Sequence, residues 1–81
     1  MRYEFTAKFI KSYHSFSADV QLKFDKQLGY LLKNIKHPSL HAKKYDESED
    51  IWQARIDQSI RFYFIISDDV YILLNIKNHP K

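Results

Sequence analysis

The feature that most constrains the fold is a series of three β-strand patterns near the C-terminal end of the chain. Residues 51–57, 60–67 and 70–77 are rich in β-branched and aromatic side chains, and the turn-forming segments DQS and SDD separate them. Strands this close in sequence are joined by hairpins, so we expect three adjacent antiparallel strands. Any fold for this chain must accommodate this meander.

The residues before the meander have helical periodicity. A short amphipathic helix is expected around Phe9, Ile10, Tyr13 and Phe16. A longer helix, with Ser17 as its expected N-cap, carries an apolar stripe formed by Val20, Phe24, Leu28, Leu31, Leu32 and Ile35. Pro38 is expected to end this helix, residues 2–6 alternate as a short strand, and residues 37–50 form a polar connection. The predicted fold is therefore α+β, in the order β-α-α-β-β-β, with two helices packed on one face of an antiparallel sheet.

The composition is that of one small globular domain, residues 1–81, with 44% hydrophobic and 16% aromatic residues. The chain has no cysteine, so disulfides and thiolate metal sites are excluded. No segment approaches the ~18 apolar residues of a membrane span, and the N-terminal segment MRYEFTAKF has charges where a signal peptide is apolar. We therefore expect a cytoplasmic protein without a membrane partner.

Alternation along the meander places Arg55 and Arg61 on the sheet face turned away from the helices. An antiparallel hairpin brings the start of one strand beside the end of the next, so Lys77 and His79 are expected near Arg61. Two arginines on neighbouring strands repel each other unless an anion lies between them. That anion is either a carboxylate, from Asp57 or the DESED segment, or a phosphate of a ligand, which suits the guanidinium fork.

The same alternation assigns a face to each residue of the last strand. Val70, Ile72, Leu74 and Ile76 are expected to face the helices. Tyr71 is then expected on the opposite face, together with Tyr63 of the preceding strand.

The histidines give no sign of a metal centre. His37 and His41 are four residues apart, but Pro38 between them argues against a helical metal-binding pair, and His14 has no evident partner. No metal site and no cofactor are predicted. The net charge of +3, from 13 Lys and Arg against 10 Asp and Glu, permits a polyanionic partner without requiring one.

The second half of the chain, HPSLHAKKYDESEDIWQARIDQSIRFYFIISDDVYILLNIKNHPK, resembles the RelE/ParE superfamily of bacterial toxin–antitoxin toxins. The resemblance is carried by Leu40, Lys43, Lys44, Trp52, Arg55, the strand start Ile60–Arg61 and the closing segment NIKNHPK. It extends over nearly the whole domain, because the family also has two helices before the meander.

The resemblance implies an mRNA interferase, that is, an endoribonuclease that cuts mRNA on the ribosome by attack of a 2′-hydroxyl on the adjacent phosphorus, held inactive by a cognate antitoxin. Arg61 is similar to the family's phosphate-stabilising arginine, and His79 to a C-terminal histidine used for acid–base chemistry. The other implied RNA contacts are Arg55, Lys77, Lys43 and Lys44 to phosphates, and Tyr63 or Tyr71 to an unstacked base.

The chain also departs from the family pattern. Lys77 and Asn78 stand where a glycine is common, no Tyr or Phe follows His79, and Trp52 and Ala54 replace lysines. The superfamily includes gyrase poisons without a nuclease site. A gyrase-binding toxin of the ParE type and an inactive, antitoxin-binding member therefore stay as alternatives, and the oligomeric state is open.

Overall fold

The computed structural model describes residues 1–79 of the chain. The chain folds into a five-stranded sheet and two helices. In chain order the elements are β1 Arg2–Phe5, α1 Ala7–Ser15, α2 Ala18–Lys33, β2 Lys43–Asp46, β3 Ile51–Arg55, β4 Ile60–Ser67 and β5 Val70–Asn78. The predicted α+β class and the three strands of the meander are confirmed.

Both helices begin at a hydroxyl cap, as expected from helix-capping chemistry. The Thr6 hydroxyl accepts the Phe9 N–H at 3.1 Å, and the predicted cap Ser17 accepts the Val20 N–H at 3.3 Å. Helix α2 ends at Lys33, earlier than predicted from Pro38. The cause is Asn34, whose side-chain oxygen accepts the Lys36 N–H at 2.9 Å and so stabilises a turn in place of another helical residue.

The sheet is mixed, so the prediction of an antiparallel sheet is wrong for its first strand. The strand order is β1-β5-β4-β3-β2, and β1 runs parallel to β5. No hairpin connects β1 to β5, so nothing local determines their relative direction. Strand β2, at the opposite edge, lies inside the predicted polar connection and was missed because an edge strand needs no apolar alternation.

The hydrophobic core lies between the helices and one face of the sheet. Its centre is aromatic: Phe24 of α2 meets Phe62 edge-on at 5.2 Å, and Phe9 of α1 lies 5.0 Å from Phe24. The largest fully buried side chains are Phe9, Phe24, Phe62, Phe64, Leu31, Leu40 and Leu73. Within residues 1–79, neither helix is long and apolar enough to cross a bilayer.

A β-bulge in β5 changes which of its residues face the core. The pairs Phe62–Ile76 and Tyr63–Asn75 are followed by Phe64–Leu73, so Leu74 is an extra residue. Ile76 faces the helices as predicted, but Leu73 and Tyr71 replace Leu74 and Ile72 in the core. The predicted face of Tyr71 is therefore wrong, because the bulge reverses the alternation in the first half of the strand.

Candidate functional site

Two rows of side chains cross the sheet on its outer face, the face turned away from α2. The first row is Arg55–Arg61–Lys77, in register across β3, β4 and β5. The second row is Lys43–Gln53–Tyr63–Asn75, from β2 to β5. The strand pairing thus brings together basic side chains that lie far apart in the sequence.

A pocket of about 310 Å³, here called the cationic pocket, opens over these rows. Its lining residues are His41, Ala42, Lys43, Gln53, Arg55, Arg61 and His79. Three of them are cations and two are imidazoles, and no Asp or Glu of residues 1–79 is among them. The backbone N–H of His79 donates to Ser59 O at 2.7 Å, which holds the residue after β5 at the turn between β3 and β4.

Arg61 is the most enclosed cation of the pocket, with 5% of its surface exposed. Its Nη1 donates to the backbone carbonyls of Asp57 at 2.6 Å and Ile60 at 3.2 Å, so the guanidinium is fixed by the turn from which β4 starts. Both acceptors are neutral carbonyl oxygens, and no carboxylate of residues 1–79 forms a salt bridge with the Arg61 guanidinium. A buried guanidinium in this state favours an anionic ligand.

The alternative in which a carboxylate separates the arginines is not what the structure shows for residues 1–79. The Asp57 carboxylate accepts the N–H groups of Ser59 and Ile60, each at 2.9 Å, and lies 3.6 Å from Lys23 Nζ. Although partial burial raises the pKa of Asp57, these contacts lower it more, and it lies below its usual value. The carboxylate therefore stabilises the turn, and Arg61 contacts Asp57 only through a hydrogen bond to its main-chain carbonyl.

The loop before β2 contributes His41, for which the sequence predicts no role. Leu40 is fully buried and its carbonyl accepts the Arg55 N–H at 2.8 Å, so the loop is anchored to the end of β3. The buried side chain of Gln27 on α2 adds two bonds, donating to Ser39 O at 3.1 Å and Arg55 O at 2.8 Å. This anchoring places His41 at the pocket.

His41 itself has a backbone φ of 47°, in the left-handed region that non-glycine residues seldom occupy. Such conformations cost energy and are concentrated at functional sites. The signal in the sequence was an apolar Leu40 in a polar segment, directly before a histidine. His37, in contrast, stacks on Tyr30 at 3.8 Å and its Nδ1 accepts the Ser39 N–H, so its contacts are structural.

Two of the predicted RNA contacts, Lys44 and Tyr71, lie on the helix side of the sheet; the predicted face of Tyr71 is therefore wrong, whereas no face was predicted for Lys44. Lys44 is in register with Trp52, has its Nζ 5.3 Å from the indole ring and is paired with Asp50. The hydrogen bond to Asp50 raises the pKa of Lys44. Tyr71 belongs to the core, 5.5 Å edge-on from Phe64, and burial raises the pKa of its hydroxyl.

Tyr63 and Lys77 are on the outer face, as predicted, but they line a second depression. This depression, here called the aromatic groove, has a volume of about 380 Å³ and is lined by Thr6, Lys8, Tyr45, Ile51, Tyr63, Leu74, Asn75 and Lys77. Burial, and to a lesser extent Tyr45, raises the pKa of Tyr63, while Arg61 opposes the shift. The groove adjoins the cationic pocket because Lys77 is in register with Arg61.

The cationic pocket is suited to a phosphoryl group. Fixed guanidinium and ammonium groups stabilise the charge that develops on phosphate oxygens, and imidazoles transfer protons near neutral pH. Arg61 supplies a fixed guanidinium, Arg55 and Lys43 add positive charge, and His41 and His79 supply the imidazoles. The residues predicted for catalysis, Arg61 and His79, are thus brought to one pocket.

The architecture is that of the RelE/ParE-like toxins, and comparison with solved structures shows this fold directly. The YoeB/ParE toxin from Agrobacterium tumefaciens superposes with a TM-score of 0.81 at 14% identity, covering 99% of this chain and 100% of that one. The YoeB dimer from Staphylococcus aureus gives 0.82 at 15%, covering 99% and 98%. The archaeal RelE–RelB complex from Pyrococcus horikoshii gives 0.80 at 16%, covering 99% and 96%.

The likeness is established by comparison of three-dimensional structures. No protein-family model matches the chain, and comparison with the sequences of curated proteins gives no match either. The RelE/ParE-like fold that the resemblance implied is confirmed, at identities that establish architecture alone.

Proposed function

We propose that this protein is the toxin of a type II toxin–antitoxin system and that it cleaves mRNA as a ribosome-dependent endoribonuclease. The observation that carries the proposal is the cationic pocket: two arginines, a lysine and two histidines, with no carboxylate of residues 1–79 in the lining, on a RelE/ParE-like sheet. Ribosomes are its site of action, so the proposal places the protein in the cytoplasm.

The proposed reaction is an internal transfer at phosphorus. One imidazole removes the proton of the 2′-hydroxyl, the 2′-oxygen forms a bond to the adjacent phosphorus, and the bond from phosphorus to the 5′-oxygen breaks. The other imidazole donates a proton to the departing 5′-oxygen, which leaves a 2′,3′-cyclic phosphate and a 5′-hydroxyl. His41 and His79 form this acid–base pair, and Arg61 stabilises the pentacoordinate phosphorane.

Arg55 and Lys43 hold neighbouring phosphates in this proposal. Both line the cationic pocket, and Arg55 is in register with Arg61. Electrostatic contacts of this kind bind RNA without selecting a sequence. The ribosome would then position a single codon at the cationic pocket.

We propose a cognate antitoxin as the protein partner. Among the structural neighbours, the archaeal RelE is described in complex with RelB, and the Staphylococcus aureus YoeB in complex with YefM. In this chain Tyr3, Phe5 and Ile10 are large apolar side chains that are more than two-fifths exposed, and Phe5 and Ile10 line a depression between β1 and α1. Exposed apolar surface of this kind is typical of protein interfaces.

The test is translation in vitro with primer extension on the mRNA, which maps cuts to single nucleotides. We expect codon-phased cleavage by the wild type and a loss of about a hundredfold or more for Arg61→Ala, His41→Ala and His79→Ala. Lys43→Ala and Lys44→Ala form a matched pair of neighbours on opposite faces of β2. Cleavage should fall for the first and stay at the wild-type level for the second.

Three outcomes contradict the proposal. Full cleavage by both histidine variants would show that His41 and His79 are not the acid–base pair. Absence of mRNA cleavage by the wild type, together with inhibition of gyrase supercoiling by the purified protein, would show a ParE-type toxin instead. A chain that is harmless when expressed without any antitoxin would be an inactive member.

A further inference from the structure

Two β-bulges lie at the aromatic groove, one on each side. In β2 the register passes from Lys44–Trp52 to Asp46–Ile51, so Tyr45 is an extra residue without a partner. In β5 the extra residue is Leu74. Both Tyr45 and Leu74 line the groove. Bulges re-aim side chains and are frequent beside active sites, so this groove is built by deviations from a regular sheet.

Tyr45 is the accessible aromatic ring of the groove. It is 57% exposed, whereas Tyr63 is 7% exposed. The Tyr63 ring has Tyr45 4.9 Å away at 66°, and Lys77 Nζ lies 5.5 Å from its centroid. Tyr63 therefore forms the floor of the groove, and Tyr45 and Lys77 cover its ring. An incoming planar group would meet Tyr45 first.

The aromatic groove continues the cationic pocket along the strands. Lys43 lines the pocket and Tyr45, two residues further along the same strand, lines the groove. Two residues of a strand span roughly 7 Å. Arg61 and Tyr63 are likewise two residues apart on β4, and the ring of Tyr45 lies 4.9 Å from that of Tyr63. A chain molecule with a phosphate in the cationic pocket can therefore extend a neighbouring planar group toward Tyr45.

Two polar side chains in the walls of the groove are already engaged within the protein. The Thr6 hydroxyl donates to Leu73 O at 3.0 Å. The Asn75 side-chain oxygen accepts the Ser12 hydroxyl and, at 3.0 Å, the Ile76 N–H. These contacts fix the walls and occupy the Thr6 hydroxyl and the Asn75 side-chain oxygen, so that neither is free to read the edge of a base by hydrogen bonding.

We propose that the aromatic groove is a nucleobase subsite, in which one base of a single-stranded RNA stacks on Tyr45 while an adjacent phosphate occupies the cationic pocket. This inference rests on the proposed function, since it requires RNA in that pocket. The base is held by its π-face and by Lys77, so the subsite accepts all bases with similar affinity.

The test is fluorescence anisotropy with short, labelled 2′-O-methyl RNA oligonucleotides, which bind but cannot be cleaved. We expect Tyr45→Ala to weaken binding about tenfold, in the range for loss of one stacked base. Tyr45→Phe keeps the ring and should bind like the wild type. Oligonucleotides of the four bases should differ by no more than about threefold, because stacking tolerates every base.

An oligonucleotide with an abasic residue at the stacked position gives the decisive comparison. Wild type and Tyr45→Ala should bind it equally, since the ring then has nothing to contact. Equal binding of ordinary RNA by wild type and Tyr45→Ala, together with a loss for Arg61→Ala, would overturn the base subsite and leave the proposed function standing. Failure of the wild type to bind RNA, with or without ribosomes, would overturn both.

A peptide partner is the rival occupant. If Tyr45→Ala leaves RNA binding unchanged and abolishes neutralisation by the antitoxin, the groove belongs to the protein interface and the base subsite is refuted. Thermal unfolding of each variant serves as the control for folding. Because Tyr45 is mostly exposed, its removal should shift the midpoint little.

Discussion

Substitution of Gln27 by leucine tests whether α2 positions the cationic pocket. Gln27 is 6% exposed, and its amide makes three hydrogen bonds: to Ser39 O at 3.1 Å, to Arg55 O at 2.8 Å, and from the Ser39 hydroxyl at 3.2 Å. Leucine has a similar volume and can make none of them. The loop that carries His41 would then lose its side-chain connection to the helix.

The expected cost follows from these bonds. Each net hydrogen bond contributes about 1 kcal/mol, and a carbonyl left without a donor costs about 1–3 kcal/mol, so we expect Gln27→Leu to lower the free energy of unfolding by about 3 kcal/mol. That is a large share of the roughly 5–15 kcal/mol that stabilises a typical domain. Urea unfolding, followed by the signal of Trp52, measures the loss.

Gln21→Leu is the matched control. Gln21 also lies on α2, and its amide donates to Tyr13 O at 2.9 Å and Phe16 O at 3.2 Å, at the junction of the helices and away from the pocket. Both variants should lose stability, but under conditions where both remain folded only Gln27→Leu should lose cleavage, by about tenfold, with RNA binding retained.

Two results would contradict this role of Gln27. An unchanged urea midpoint for Gln27→Leu would mean that the three bonds contribute nothing to stability. Equal cleavage by the two folded variants would mean that the loop keeps His41 in place without the helix. The first result concerns the fold alone, and the second concerns the site.

Three further predictions concern the pocket and its supports. Arg61→Lys keeps the charge but not the planar fork that the carbonyls hold, so primer extension should show at least about a tenfold loss of cleavage, and wild-type activity would contradict this role. Leu40→Ala removes a fully buried anchor and should cost about 2–5 kcal/mol in urea unfolding; a cost below about 1 kcal/mol would mean that the loop has no anchor there. The pKa of Asp57 is lowered in the fold, so its ionised form contributes stability that is complete above its ordinary value of 3.8 and is lost as the pH falls through the lower folded value. Between about pH 5 and 3 the wild type should therefore lose stability relative to Asp57→Asn, and parallel pH profiles of the two midpoints would refute the assignment.

The sequence predicted what local chemistry determines. The meander strands, the Ser17 cap and the position of Arg61 on the outer face follow from alternation, turn residues and capping, which act within a few residues. The convergence of Arg55, Arg61 and His79 was predicted as well, because pairing in a hairpin places opposite residues of neighbouring strands on the same face of the sheet.

The errors arose where distant parts of the chain meet. The bulge in β5 moved Tyr71 into the core, since one extra residue reverses the face of everything beyond it. The direction of β1 depended on a partner strand at the other end of the chain. Lys44 could not be separated from Lys43 before β2 was recognised as a strand.

The position of His41 could not be predicted from the sequence for a different reason. Its place in the pocket depends on Leu40, Gln27 and the end of β3, three anchors from separate elements. Neither helical nor strand periodicity in the sequence predicts the position of His41. A left-handed backbone conformation at a histidine can only be seen once the loop has a definite path.

The placement of β5 has a consequence for how the molecule can be made. β5 is synthesised last among the strands, yet it lies between β1 and β4, so two of the four strand interfaces wait for it. A nascent chain that stops before residue 70 leaves its own first strand unpaired and also lacks Lys77 and His79. The sheet and the cationic pocket are therefore completed together, in one late step of synthesis.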